Sequence, residues 1–94
     1  MKAIVNDKVI ATSDDIVDVG GYAYFPISSV HLDCLQKATK TKSDLDCPHG
    51  VQFYDVVVDD KRHERAAWIY EAPLASMQQV AQRCGFWKDV NVAR

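Results

Sequence analysis

The sequence predicts a mainly β domain with one short helix near its C-terminus, and three observations support this prediction. First, Val51–Val58 is rich in β-branched and aromatic residues, the composition of a strand that is buried in part on both faces. Second, polar turn formers at 59–62 separate this run from another apolar run that ends at Tyr70, so the two predict a long antiparallel hairpin. Third, the pattern of a capped amphipathic helix occurs late in the chain, from Ser76 onward.

The hairpin carries the largest apolar surface of the chain. In its second strand, alternation places Ala66, Trp68 and Tyr70 on one face and Ala67 and Ile69 on the other. We therefore expect the other elements to pack against this hairpin.

The chain begins with short strands joined by tight turns. Ala3–Ala11 predicts a first hairpin with Asn6 and Asp7 at its tip, because both residues tolerate the positive φ of a tight turn. After a polar turn at 13–15, Ile16–Val19 predicts a further short strand.

Gly20 and Gly21 predict a tight turn into the strand Tyr22–Phe25, which Pro26 ends because it has no N–H for a strand ladder. Beyond it, a serine at position 28 or 29 predicts the cap of one helical turn. The polar run Lys37–Asp44 has no periodicity and predicts an exposed loop.

The predicted helix begins at a capping box of Ser76 and Gln79 and ends at Gly85. One apolar stripe of this helix would consist of Met77, Val80, Ala81 and Cys84. After it, the run Phe86–Val92 predicts extended structure in which one face is shared by Phe86, Lys88, Val90 and Val92.

Length and charge limit the classes of function. The 94 residues predict a single domain, 1–94. With 13 acidic against 11 basic residues and a net charge of −2, the chain lacks the basic face that nucleic acid requires. No apolar run reaches the roughly 18 residues of a membrane span, and acids interrupt the N-terminal run, so we expect no membrane association and a cytoplasmic location.

Because 3 cysteines are an odd number, reduced thiols are the simpler interpretation.

Several motifs occur in a fixed order across nearly the whole chain: Tyr24-Phe25-Pro26, Cys47-Pro48, Gly50, Phe53-Tyr54, Ala67-Trp68, Tyr70, Pro73 and Phe86-Trp87-Lys88. Together they resemble those of one family, domain of unknown function 427, some members of which carry a nucleotidyltransferase-type label. The resemblance implies a β-tent fold, in which two antiparallel sheets meet at an angle and leave a groove. The family usually places two residues, often an aromatic residue and a lysine, between its Cys-Pro and Gly, whereas this chain has only His49 there.

A groove of this kind, lined with aromatic residues, predicts binding of a small planar or anionic metabolite. Aromatic side chains with a polar end stack on a planar ligand and also place a hydrogen bond. His49 would add a positive charge near neutral pH. The predicted ligand-binding residues are Tyr24, Trp68 and Tyr70 in the groove, with Tyr54, Cys47 and His49 at its rim.

Other functions stay open at this point. Cys47 and His49 could form a thiolate nucleophile with its imidazolium, in which case Cys34 or Cys84 would be the resolving cysteine. A nucleotidyl or phosphoryl transferase would need paired carboxylates for Mg²⁺, and the acid pairs at 14–15 and 59–60 stand at predicted turns instead. A module that binds a partner through an exposed sheet edge is the third alternative.

The chain has no Cys-x-x-Cys pair, so we expect no stoichiometric metal. The weaker candidate set of zinc ligands is His31, Cys34, Cys47 and His49. The sequence leaves open the cofactor, the oligomeric state and whether any reaction is catalysed.

Overall fold

The computed structural model describes residues 1–93, so the last residue of the predicted domain, Arg94, lies outside the described residues. Its strands are β1 (Lys2–Val5), β2 (Lys8–Thr12), β3 (Val17–Val19), β4 (Tyr22–Pro26), β5 (Leu35–Lys37), β6 (Val51–Val58), β7 (Lys61–Tyr70), β8 (Arg83–Phe86) and β9 (Asn91–Ala93). One α-helical turn, α1 (Lys42–Leu45), and the 3₁₀ segments Ile27–Ser29, Leu32–Cys34 and Ala75–Val80 complete the described structure. No helix within these residues is long and apolar enough to cross a membrane.

The strands form two antiparallel sheets, which confirms the predicted mainly β class. The smaller sheet has the order β2-β1-β9, and the larger has the order β3-β4-β8-β7-β6-β5. The predicted turns at 6–7 and 20–21 are also confirmed, because all four residues have positive φ.

The hairpin of β6 and β7 forms the centre of the larger sheet. Its register runs from Val51 opposite Tyr70 to Val58 opposite Lys61, and Asp59 and Asp60 turn the chain with φ of 53° and 65°. Both residues of the turn have positive φ, the conformation that matches the twist of the two strands. The predicted hairpin is therefore confirmed.

A β-bulge interrupts this hairpin at Arg65. The pairing shifts between Tyr54 and Val56, and Arg65 has a left-handed φ of 53°. Three residues of β7, 64–66, stand opposite Asp55 alone, and these extra residues interrupt the alternation, so Ala66 packs in the same core cluster as Ala67. The prediction that Ala66 shares a face with Trp68 is therefore wrong, because simple alternation does not continue through a bulge.

Apolar residues form two clusters, one against each face of the larger sheet. The main core combines residues of both sheets, among them Ala3, Val5, Ile10, Phe25, Val56, Val58, Cys84 and Phe86. The outer cluster consists of Tyr24, Val51, Trp68 and Val80, with partly buried Val17, Val19, Cys47, Phe53, Tyr70, Met77 and Trp87 against them. Neighbouring residues such as Phe25 and Tyr24 fall in different clusters, as the alternation of a strand requires.

The predicted short C-terminal helix is present as the 3₁₀ segment Ala75–Val80, but its predicted extent to Gly85 and its capping box are wrong. The 3₁₀ segment Ala75–Val80 is broken at Met77 (φ −123°, ψ 15°), its N-cap is Leu74, and Ser76 makes no cap hydrogen bond. Cys84 instead lies in β8, where it pairs with Phe25 on one side and Ile69 on the other. A central strand position that completes two ladders outweighs the local preference for helix.

Two other local predictions also require correction. The predicted loop Lys37–Asp44 contains α1, which begins at a capping box: Thr41 Oγ1 accepts from the Asp44 N–H, and the Asp44 carboxylate accepts from the Thr41 N–H. The predicted extended run Phe86–Val92 is interrupted at Lys88, which has a left-handed φ of 56° and is exposed, so Lys88 does not share the buried face.

Candidate functional site

Aromatic side chains on the outer face of the larger sheet enclose a cavity of about 170 Å³. Four of these side chains belong to β4, β6 and β7, and the fifth belongs to Trp87, which follows directly after β8. Because alternate residues of a strand point to the same face, the rings come together from four neighbouring segments of one sheet. The lining residues are Tyr22, Phe53, Trp68, Tyr70 and Trp87.

Trp68 lies at the centre of this group. Its ring meets Tyr22 at a centroid distance of 5.1 Å and Trp87 at 5.7 Å, with the planes near perpendicular in both pairs. Phe53 and Tyr24 lie at 6.2 and 5.8 Å. Edge-to-face packing of this kind is the favoured arrangement of aromatic rings and holds the walls of the cavity in place.

The position of Trp68 depends on a glycine in the next strand. Gly85 is paired with Trp68 in the register of β7 and β8. A Cβ built on Gly85 would lie 2.6 Å from Cζ2 of Trp68, which is too close for two non-bonded carbon atoms. The indole therefore occupies the space that a side chain at position 85 would take. Gly85 is not the helix stop that the sequence predicted.

The buried polar group of this site is the indole N–H of Trp68. Trp68 is 5% exposed, and its Nε1 has no hydrogen-bond partner in the described part of the chain. The Tyr24 hydroxyl lies near this N–H. Burial raises the pKa of Tyr24 to about 12, and the nearby indole N–H offsets part of that rise, although the two groups do not reach hydrogen-bond geometry. Buried N–H groups normally have a hydrogen-bond acceptor, so the lack of one at Trp68 is unusual.

Arg65 holds two walls of the cavity from behind. Its guanidinium lies 4.1 Å from the centre of the Phe53 ring, and its backbone carbonyl accepts from Nε1 of Trp87. The guanidinium also makes a two-point ion pair with Asp44, with Nη1–Oδ2 and Nη2–Oδ1 distances of 2.9 and 2.8 Å. The bulge at Arg65 thus links α1 to the aromatic site.

His49 lies beside the site, in a loop that is fastened to the end of β7. Its ring packs edge-on against Tyr70 at 5.6 Å, and its Nδ1 accepts from the Leu74 N–H at 2.9 Å. An accepting Nδ1 carries no proton, so the proton of the neutral ring is on Nε2. A positive His49 would have to break the bond to Leu74, and the structure therefore gives no support to the predicted cationic role.

The cysteines are separated by the larger sheet. Cys47 is half-buried against the outer cluster, whereas Cys34 and Cys84 are buried in the main core. Burial raises the pKa of Cys84 to about 12. Among residues 1–93 no hydrogen bond joins Cys47 to His49, and the pair of catalytic and resolving cysteines that the sequence suggested is not brought together.

The weaker candidate set of zinc ligands and the acid pairs do not converge either. No group of three or more His, Cys, Asp or Glu side chains able to hold a metal ion occurs within residues 1–93. Asp59 and Asp60 form the turn of the central hairpin, and the Asp15 carboxylate is paired with Arg83 at 3.0 Å. These acids thus have structural roles in turns and ion pairs.

The predicted ligand-binding residues divide between the two faces of the larger sheet. Trp68 and Tyr70 line the cavity, and Tyr24 contacts both rings from behind. Tyr54 packs against the main core, on the face opposite Trp68, and belongs to a separate depression with Ile69 and Glu71. Three lining residues were missing from the predicted set, namely Tyr22, Phe53 and Trp87.

The register of the hairpin contains a signal for one of the missed residues. Phe53 is directly opposite Trp68 across the pair of strands. Directly opposed residues point to the same face. Pairing the residues of the two strands outward from the turn places Phe53 opposite Trp68 only if the extra residues of the bulge are counted.

Comparison with known protein families gives one match over the whole sequence. The model of the family described as "Domain of unknown function (DUF427)" matches residues 1–94. No curated protein matches the sequence.

Proposed function

Given that the chain belongs to the family of domains of unknown function DUF427, we propose that it binds a small molecule with a planar group in the aromatic cavity around Trp68. The planar group would stack among the rings of Trp68, Tyr70 and Trp87. Tyr24 and His49 would support these walls from behind, and the half-buried Cys47 would lie beside them.

The observation that carries this proposal is the combination of a cavity with a buried donor. Trp68 lines the cavity, and its N–H has no partner within residues 1–93. A buried donor without an acceptor costs roughly 1–3 kcal/mol, and a ligand acceptor that reached this N–H would remove that cost. Ring packing alone would stabilise an ordinary core equally well, but it would leave neither an open cavity nor an unused donor.

The size of the cavity limits the ligand to a small ring or a small group on a larger molecule. Its volume of about 170 Å³ is below the roughly 300–1,000 Å³ of pockets for drug-sized ligands. A single planar ring with one polar substituent fits this description, whereas a whole nucleotide does not.

The test is a thermal-shift screen of small planar metabolites, followed by tryptophan fluorescence titration of each compound that raises the melting temperature. We expect bound compounds to change the emission of Trp68, and the variant Trp68→Leu to abolish binding. Tyr24→Phe keeps the ring that supports the walls from behind and removes only a hydroxyl outside the lining, so it should bind nearly as the wild type does.

Tyr54→Phe is the matched control, because Tyr54 lies on the opposite face of the same hairpin and its variant should bind as the wild type does. Cys47→Ser tests the thiol-dependent alternative, and we expect it to leave binding unchanged. A screen in which no planar compound changes the melting temperature or the fluorescence contradicts the proposed function.

A further inference from the structure

Lys88 places a positive charge against the wall of the aromatic cavity. Its Nζ lies 5.0 Å from the centre of the Trp87 ring, which is within the range of a cation–π contact. Trp87 in turn lines the cavity, with its centre 5.7 Å from that of Trp68. The ammonium group of Lys88 therefore contacts a side chain that itself lines the space that a ligand would fill.

The charge of Lys88 is not balanced by a neighbouring acid. Its sequence neighbour Asp89 is directed at Nδ1 of His63, at 3.1 Å. In the part of the chain that the structure describes, Lys88 takes part in no ion pair.

Two other charged side chains that contact or adjoin the walls are paired with an opposite charge. Arg65 behind Phe53 is neutralised by Asp44, and Glu71 after Tyr70 is paired with Lys40 at 3.0 Å. The lining itself carries no ionisable group other than tyrosine hydroxyls. Lys88 is thus a positive charge in contact with a wall residue, and no acid pairs with it among the described residues.

Resting on the proposed function, we infer that the ligand of this cavity is a planar ring compound with a carboxylate, whose negative charge is paired with Lys88. The ring occupies the aromatic cavity, and the carboxylate accepts at its open side from the ammonium group. Lysine suits this role because its long side chain moves with little cost at an exposed position. A cationic ring compound is disfavoured by the same charge.

The probes are three isosteric ring compounds that differ in charge: benzoate (−1), benzamide (0) and benzamidinium (+1). Each is titrated against the full chain at low ionic strength, with chemical shifts of the indole N–H groups as the readout. We expect benzoate to bind about three- to tenfold more tightly than benzamide, and benzamidinium to bind most weakly. The preference for benzoate should shrink as salt is added.

Substitution of the lysine separates its charge from its other contacts. Lys88→Gln should bring the affinity for benzoate down to that for benzamide, while the affinity for benzamide stays at the wild-type value. Lys88→Arg should restore the preference. Lys61→Gln is the control, because Lys61 is an exposed lysine of the same larger sheet at the far end of β7.

The outcomes distinguish this inference from the proposed function. Equal binding of the three probes, or a preference for benzoate that survives Lys88→Gln, overturns the inference and leaves the cavity as a binding site. If millimolar concentrations of all three probes shift neither indole signal, the proposed function fails with it.

Discussion

The backbone of Gly85 lies directly against the indole ring of Trp68, so that a Cβ at position 85 would be 2.6 Å from Cζ2. This contact joins the one glycine of β8 to the central ring of the aromatic cavity. It explains why the larger sheet accepts a glycine in a central strand, where the residue usually costs stability.

Replacement of Gly85 by alanine should displace the indole and destabilise the fold by about 1–3 kcal/mol, the usual cost of overpacking. Urea unfolding with tryptophan fluorescence measures this change. In a Trp68→Phe background the atoms that meet the new Cβ are absent, so the same replacement should cost less. A cost that is equal in both backgrounds would show that the contact does not limit position 85.

The ion pair of Arg65 and Asp44 should contribute more than any other charge pair on β7. Arg65→Ala leaves the carboxylate of Asp44, which is 4% exposed, without its partner, and we expect a loss of about 3 kcal/mol. Arg62→Ala is the matched control three residues away, because the Arg62 side chain is 47% exposed and its pair with Asp55 should contribute less than about 1 kcal/mol.

Arg65→Lys should recover only part of the loss, since an ammonium group cannot make the two-point contact. If the alanine variants at 62 and 65 unfold at the same urea concentration, the ion pair to Asp44 has no special role.

Acid should destabilise the protein through Asp44. Hydrogen bonds from Arg65 lower the pKa of Asp44 from 3.8 to about 2. A carboxylate with a lowered pKa in the folded state contributes stability above its unfolded pKa and loses it as the pH falls. We therefore expect stability to fall between about pH 4 and pH 2, measured by urea unfolding at a series of pH values.

The variant Asp44→Asn should flatten the pH dependence in this window, because an amide does not titrate. Asp55 titrates nearby: burial raises its pKa, but hydrogen bonds from Arg65 and Arg62 outweigh that effect and lower it. Asp55→Asn is therefore the comparison variant. A wild-type profile that stays flat down to pH 2 would contradict the role of Asp44.

The cysteines should differ in reactivity according to their burial. Cys47 is partly exposed, whereas Cys34 and Cys84 are buried and the pKa of Cys84 is raised to about 12 by burial. Iodoacetamide at pH 8 should alkylate Cys47 in the folded protein and the other two only in denaturant. Mass spectrometry of proteolytic peptides identifies the labelled residues, and rapid native labelling of Cys84 would mean that β8 opens readily.

Short-range features of the sequence were sufficient to predict the hairpins and, where a strand is regular, the side chains that share a face. Asn6 and Asp7, or Gly20 and Gly21, specify their turns through their own tolerance of positive φ. Strand alternation likewise places Tyr22 with Tyr24, and Trp68 with Tyr70, around one cavity wall. These properties depend on neighbours within a few residues, so they can be read before the fold is known.

Tertiary structure decided the features that depend on distant partners. Residues 76–84 carry a helical pattern, but β8 forms because β4 and β7 supply a ladder on each side and Trp68 needs a glycine beside it. The polar run before Leu45 forms a capped helical turn because its Asp44 carboxylate makes an ion pair with Arg65, which is 21 residues away in the sequence. Local propensity amounts to less than about 1 kcal/mol per residue for most residues, and long-range ladders, ring contacts and buried ion pairs exceed it. The sequence by itself therefore determined the sheet class and the aromatic face, whereas the cavity, its glycine and its supporting arginine follow only from the folded chain.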